Sequence, residues 1–174
     1  MFEKLKIFTI PFALEKNKKD IILNIYNSLS CKSKDEIVSQ AINFHQKGNI
    51  IEASRYYKYF LDKGFSDPRV FCNLGLILID EGNLKEAEKL TRKAIKIKKD
   101  YAQAYNNLGI ILRDIGSLKE AEKSLRKAIE IKKDYAQAYN NLGIIMRDIG
   151  ELEEAEKLIM EAISINPSFA EAYS

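Results

Sequence analysis

Residues 97–111, IKKDYAQAYNNLGII, return unchanged 34 positions later as residues 131–145. Outward from this stretch the same spacing holds. Leu74-Gly75, Leu108-Gly109 and Leu142-Gly143 fall into register, as do Gly82, Gly116 and Gly150. So do Ala87, Ala121 and Ala155, and then Ala94, Ala128 and Ala162. A fixed period of this length marks a chain of stacked supersecondary units, each unable to bury its apolar face alone.

Residues 102–135 show what one period contains. Tyr105, Leu108, Gly109 and Leu112 stand at i, i+3, i+4 and i+7, one face of a helix. Gly116 stops that helix, because glycine enters the left-handed region without a steric penalty. Leu118, Ala121, Leu125, Ala128 and Ile129 predict a second amphipathic helix, and Lys132-Lys133-Asp134 a polar connector. Small residues at Gly109, Ala121 and Ala128 allow the pair to approach closely, while Tyr105, Leu108 and Leu125 fill the space between. Asp67-Pro68 predicts a capped helix start, with Asp as cap and Pro at the first helical position.

Composition narrows the chemistry. Of 174 residues, 46% are hydrophobic and 30% charged, enough of each for a packed core with a solvated surface. Lys plus Arg is 28 against 25 Asp plus Glu, a net charge of +3. That balance does not suit a dedicated nucleic-acid binder, and no nucleic-acid partner is expected. There is one His, and Cys31 and Cys72 stand far apart with no C-x-x-C, so neither a metal site nor a Cys-His nucleophile is expected. No phosphate-binding glycine motif occurs, and carboxylate pairs such as Glu153-Glu154 lie on a regular solvated face. The reading is a chain without enzyme activity and without cofactors. Two unpaired cysteines fit a reducing, cytoplasmic setting. No run approaches the ~18 apolar residues of a membrane span. Residues 7–14 form a short apolar run flanked by Glu3 and Glu15, without a small-x-small cleavage site, so secretion is not expected.

The pattern resembles the tetratricopeptide repeat family, whose motif has an aromatic at position 4, Leu-Gly at 7 and 8, Ala at 20 and 27, and often Pro at 32. Phe71, Tyr105 and Tyr139 take position 4 in units 68–101, 102–135 and 136–169, and Pro167 takes position 32 of the last. A divergent unit, 34–67, keeps Gly48 and Ala53 but has Ile37 at position 4, Gln40-Ala41 at 7 and 8, and Phe60 at 27. The resemblance implies an all-α fold, a tandem helix-turn-helix solenoid coiled as a right-handed superhelix. Residues 1–33 lack the repeat and are expected to be peripheral. Residues 170–174 reproduce the opening of a fifth unit, expected as a short helical stub. Residues 7–14 and 43–50, with Tyr56-Tyr57 and Gly64-Phe65, also resemble repeat proteins of marine cyanobacteria, in which such repeats often precede a transferase domain.

The resemblance further implies a concave groove lined by positions 2, 5, 6, 9, 12 and 13 of each first helix. Those positions hold Gln103, Asn106, Asn107, Ile110, Arg113 and Asp114 in one unit, and Gln137, Asn140, Asn141, Ile144, Arg147 and Asp148 in the next. In the unit before them they include Arg69, Cys72, Asn73 and Leu76, and in the divergent unit Val38 and His45. Asn73, Asn107 and Asn141 recur at position 6. An amide offers donor and acceptor together and can hold a peptide backbone without reading its side chains. This row is similar to the asparagine ladder of protein N-acetylglucosamine transferases; the same residues equally suit hydrogen bonds between helices. The carboxylate clamp of chaperone-binding members does not fit, because Val38, Ile42, Cys72 and Leu76 occupy clamp positions. The candidate peptide-binding residues are Asn73, Asn106, Asn107, Asn140, Asn141, Gln103, Gln137, Arg113 and Arg147.

Charge is uneven: +3 for 68–101, +2 for 102–135 and −5 for 136–174. Lys96, Lys98, Lys99, Lys132 and Lys133 either complement the second-helix dipoles or meet an acidic partner. The expected function is a protein-interaction adaptor holding an extended peptide. The alternative is a targeting module of a glycosyl- or sulfo-transferase whose catalytic domain lies outside this chain. An apolar end face of Leu142, Ile145, Met146, Leu158, Ile159 and Ala162 is expected to be exposed and to form a homodimer through the C-terminal end.

Overall fold

The computed structural model describes residues 29–168, which fall into two compact units divided between Lys63 and Gly64. Residues 1–28 and 169–174 lie outside the described residues, and with them most of the non-repeat segment and the expected stub. Among the described residues there are eight helices and no strand. The first unit holds α1 (Lys34–Gln46) and α2 (Ile50–Asp62). The second holds α3 (Pro68–Asp80), α4 (Leu84–Ile97), α5 (Ala102–Asp114), α6 (Leu118–Ile131), α7 (Ala136–Ile149) and α8 (Leu152–Ile165). None of these helices is long and apolar enough to cross a membrane.

Helix starts follow local chemistry. Ser33 caps α1 in a reciprocal box. The Glu36 N–H donates to Ser33 Oγ at 3.3 Å, and the Ser33 N–H donates to Glu36 Oε2 at 2.7 Å. Asp67 caps α3 by accepting the Arg69 N–H at 2.8 Å, with Pro68 in the first turn, as the sequence predicts. Leu29 departs from expectation. It precedes the repeat, yet it is fully buried, so the segment before Lys34 is not uniformly peripheral.

Within each pair, the first helix ends in a hydrogen-bonded turn that reverses the chain. At the end of α5 the Gly116 N–H donates to Arg113 O at 2.9 Å and the Ser117 N–H to Leu112 O at 2.8 Å. This is the Schellman arrangement, and it needs the positive φ of 83° at Gly116. The close approach expected at Gly109 is also present. A β-carbon there would stand 2.5 Å from Leu125 Cγ. Gly143 meets Ile159 and Gly75 meets Thr91 in the same way, each at 2.8 Å.

The core between α5 and α8 is continuous. Leu108, Leu112, Ala121, Leu125, Ala128, Ala138, Leu142, Ile145, Met146 and Ala155 are buried together, with Tyr105 and Leu118 packed at its edge. This corrects the expected end face. Leu142, Ile145, Met146 and Ala162 are buried, and Leu158 and Ile159 half-buried, because side chains facing the paired helix are satisfied inside their own unit. The apolar residues exposed on α8 are Leu152 and Met160, at 65% and 62%.

On the outer side the second helices are joined by charge. Arg92 pairs with Glu88 at 2.7 Å and reaches Glu120 of the next pair at 3.8 Å; Arg126 repeats this with Glu122 at 3.0 Å and Glu154 at 3.7 Å. These exposed pairs set register more than stability.

Candidate functional site

The candidate residues stand on α3, α5 and α7, the first helices of the second unit. These helices are tied to one another by side-chain amides. Asn107 donates its amide to Cys72, with Nδ2 3.4 Å from both the backbone O and Sγ. One period on, Asn141 Nδ2 donates to Asn106 Oδ1 at 2.9 Å. A residue at position 6 thus reaches position 5 of the preceding first helix. Asn106 and Asn107 are only 5% and 3% exposed. Burial without a partner would cost about 1–3 kcal/mol per group, and these bonds supply the partner. A packing role for the Asn107 and Asn141 amides is therefore directly visible.

The other candidates lie further out. Asn73, Asn140 and Asn141 are half-buried, and so are Gln103 and Arg113, while Gln137 and Arg147 are exposed. Arg113 is held by its neighbour Asp114 at 2.8 Å, and Arg147 approaches Asp148 at 3.5 Å. Each guanidinium is therefore partly neutralised in place. In the first unit, His45 stands edge-on to Tyr57 with ring centroids 6.1 Å apart.

Two residues at this site were not singled out from the sequence: Tyr101 and Tyr135, which precede α5 and α7 directly. The Tyr101 hydroxyl donates to Gln103 Oε1 at 3.3 Å. Lys98 Nζ lies over the Tyr101 ring, 5.3 Å from its centroid, and Lys132 Nζ over the Tyr135 ring at 5.1 Å. Burial raises the Tyr101 hydroxyl pKa, with Cys72, Asp67 and Tyr135 adding to the effect. Burial and then Cys72 push Tyr135 up to about 12. Burial pushes the Cys72 thiol up to about 12 despite an opposing hydrogen bond from Tyr101. All three groups are neutral near pH 7, and Cys72 is a poor nucleophile. The signal in the sequence was the exact return of KKDYAQ at 98–103 and 132–137.

Elsewhere the surface offers shallow troughs. One of about 420 Å³ lies between Glu122, Arg126, Met146, Ile149, Glu151 and Glu154, and another of about 450 Å³ along α4 between Lys85 and Arg92. Several of their charged groups are already paired, Glu122 and Glu154 with Arg126 in the first, and Glu86 with Lys89 and Glu88 with Arg92 in the second. Among the described residues, no group of three or more His, Cys, Asp or Glu could hold a metal ion.

The comparisons with known proteins agree with this architecture. The tetratricopeptide repeat family model matches residues 67–134 and 100–168. Among solved structures, MamA superposes with a TM-score of 0.69 at 20% identity, covering 94% of this chain and 99% of that one. YrrB, a TPR protein described as having an unusual peptide-binding site, gives 0.67 at 22% identity over 88% and 81%. The second TPR of Spaghetti (RPAP3), bound to the HSP90 peptide SRMEEVD, gives 0.55 at 21% identity over 57% and 92%. At these identities the likeness is one of fold. No curated protein matches the chain. With more than half of its length matched by the family model and its helix pairs returning every 34 residues, the chain belongs to the tetratricopeptide repeat family.

Proposed function

We propose that this protein is an interaction adaptor that holds an extended peptide against the first-helix faces of α3, α5 and α7. The observation that carries the reading is the division among the polar residues of those faces. Asn106 and Asn107 are buried and, with Asn141, bonded between helices, whereas Gln103 with Gln137 and Arg113 with Arg147 repeat at 34-residue spacing and keep contact with solvent, as Asn140 does. Amide donors in a repeating row suit a backbone, and paired guanidinium groups suit side-chain selection. The peptide-binding sites named for YrrB and for the RPAP3 domain support a peptide ligand in this fold. In this reading the outer amides of Gln103, Gln137 and Asn140, rather than Asn107 and Asn141, are the peptide-facing members. No feature of the described residues favours the transferase-targeting alternative.

Screening the purified chain against a library of extended, uncharged peptides tests this. Gln103→Ala with Gln137→Ala weakens all captured peptides alike, and Arg113→Ala with Arg147→Ala changes which ones are captured. Asn107→Ala instead lowers stability by about 1 kcal/mol, because it removes a bond between helices. Unchanged capture by both outer pairs, in folded protein, overturns the reading.

A further inference from the structure

We propose that the two steps 98–103 and 132–137 form a ledge at the edge of this groove that receives an acidic segment of a partner protein, with carboxylates three residues apart. The inference rests on the groove reading for the path of the peptide. It adds a chemical class for the ligand.

The preceding step shows what the ledge lacks. Where Lys98, Tyr101 and Gln103 stand in one period and Lys132, Tyr135 and Gln137 in the next, the period before has Gly64, Asp67 and Arg69. That earlier step is closed on itself, since Asp67 binds Arg69 at 2.7 Å. The two later steps carry cations with no carboxylate in contact. Lys98, Lys99, Lys132 and Lys133 take part in no ion pair among the described residues. Lys133 is near enough to Glu130 to favour its charge, so Lys98 and Lys132 are the principal cations. Both are exposed, and both are fixed over a tyrosine ring.

The neutral groups beside them are donors awaiting acceptors. The Tyr135 hydroxyl and the Gln137 side-chain amide make no hydrogen bond among the described residues. Gln103 is used as an acceptor from Tyr101, which leaves its amide N–H groups to give. Cations with amide and hydroxyl donors call for a ligand rich in acceptors, and an ionised carboxylate is acceptor-only. Charges of the opposite sign facing the ledge are the exposed Asp100 and Asp134, one per step, and Asp67 beside Tyr101. Each lysine pair outnumbers its aspartate, and Asp67 is already bound to Arg69. Lys98 and Lys132 also follow the last turns of α4 and α6, where the helix dipole favours a cation. The dipole accounts for a lysine at each place, but not for the Tyr135 hydroxyl and Gln137 amide left unbonded beside Lys132, nor for the amide N–H groups left over on Gln103.

Spacing sets the ligand pattern. Helices α5 and α7 touch through Asn141 and Asn106, so equivalent points on them stand about one helix diameter, roughly 8–10 Å, apart. Three residues of chain in the polyproline II conformation, at about 3.1 Å each, cover that distance and bring the side chain back to the same side. An acid at i therefore meets one lysine and an acid at i+3 the other.

Fluorescence anisotropy with a labelled Glu-Ala-Ala-Glu peptide, acetylated and amidated so that no terminal carboxylate is present, provides the test. Its partner probe is the Gln-Ala-Ala-Gln version. The acidic peptide binds at least about tenfold more tightly at ~0.05 M salt, and the advantage shrinks at ~0.3 M. Lys98→Glu with Lys132→Glu removes the advantage, and Lys98→Met with Lys132→Met reduces it while keeping the ring cover. Lys85→Glu with Lys119→Glu, on the second helices, leaves it unchanged. Equal binding of the two peptides, or equal loss in the second-helix control, overturns the ledge. If the uncharged library still binds, only the ledge is lost; if no peptide of any kind binds, the groove reading falls as well.

Discussion

The α3–α4 pair and the α5–α6 pair share a backbone plan and differ in the chemistry that fills it. At the point of closest approach Gly109 faces Leu125, whereas Gly75 faces Thr91. Leu125 is fully buried and wholly apolar. Thr91 is equally buried, yet its Oγ1 has no hydrogen-bond partner among the described residues. The helix starts differ too. Asp67 caps α3 with a side-chain hydrogen bond, while Tyr101 stands before α5 without one. The comparison teaches that the repeat fixes where the helices cross, whereas the residue at the crossing decides how well that joint is sealed.

The largest effect breaks the α5–α6 joint outright. Gly109→Leu pushes a side chain into a space where even a β-carbon would overlap Leu125, and overpacking of this kind costs about 3 kcal/mol. Because neighbouring units share stability, thermal melting falls by many degrees and loses sharpness. An unchanged melting temperature would mean that the helices do not meet at Gly109.

Exchanging the crossing residues sharpens the comparison. Leu125→Thr gives the α5–α6 pair the α3–α4 chemistry. It loses apolar contact and buries a hydroxyl, at a cost of about 2–3 kcal/mol. Thr91→Val runs the other way, removing an orphaned hydroxyl at nearly constant volume, and raises stability by about 1 kcal/mol. Denaturant titration of both variants decides the matter; a destabilised Thr91→Val would show that the hydroxyl has a partner after all.

The smallest effect concerns the caps and depends on pH. Burial of Asp67 opposes its charge, but the side-chain and backbone hydrogen bonds from Arg69 outweigh it and hold the carboxyl below its ordinary 3.8. A depressed carboxyl stabilises the folded chain above the unfolded value, and that contribution is lost as pH falls through the folded value. Asp67→Ala is therefore less stable than the parent by about 1 kcal/mol at pH 7, and the two converge in strong acid. A difference that persists at low pH would assign the effect to packing rather than to the charged cap.

Much of this molecule is decided over short stretches of chain. The 34-residue period, the helix pairs, the turn at Gly116, the cap at Asp67 and the close approach at Gly109 could all be read from residues a few positions apart. Backbone conformation, capping and side-chain periodicity act within a turn or two of helix, so the sequence alone sufficed for them. The same reading treated the asparagines as one row and placed six residues on an exposed end face.

Only the tertiary structure decided between buried and outward members of the row. Asn107 and Asn141 each find their partner 35 residues away, on the preceding first helix, and neither distance nor burial can be inferred from spacing. For the same reason Leu142, Ile145 and Met146 are core rather than surface, and Tyr101 and Tyr135 carry lysines on their rings. Identical local sequence gives identical helices, but the depth of each side chain depends on what the neighbouring unit places against it. That is set by packing across the stack rather than along the chain.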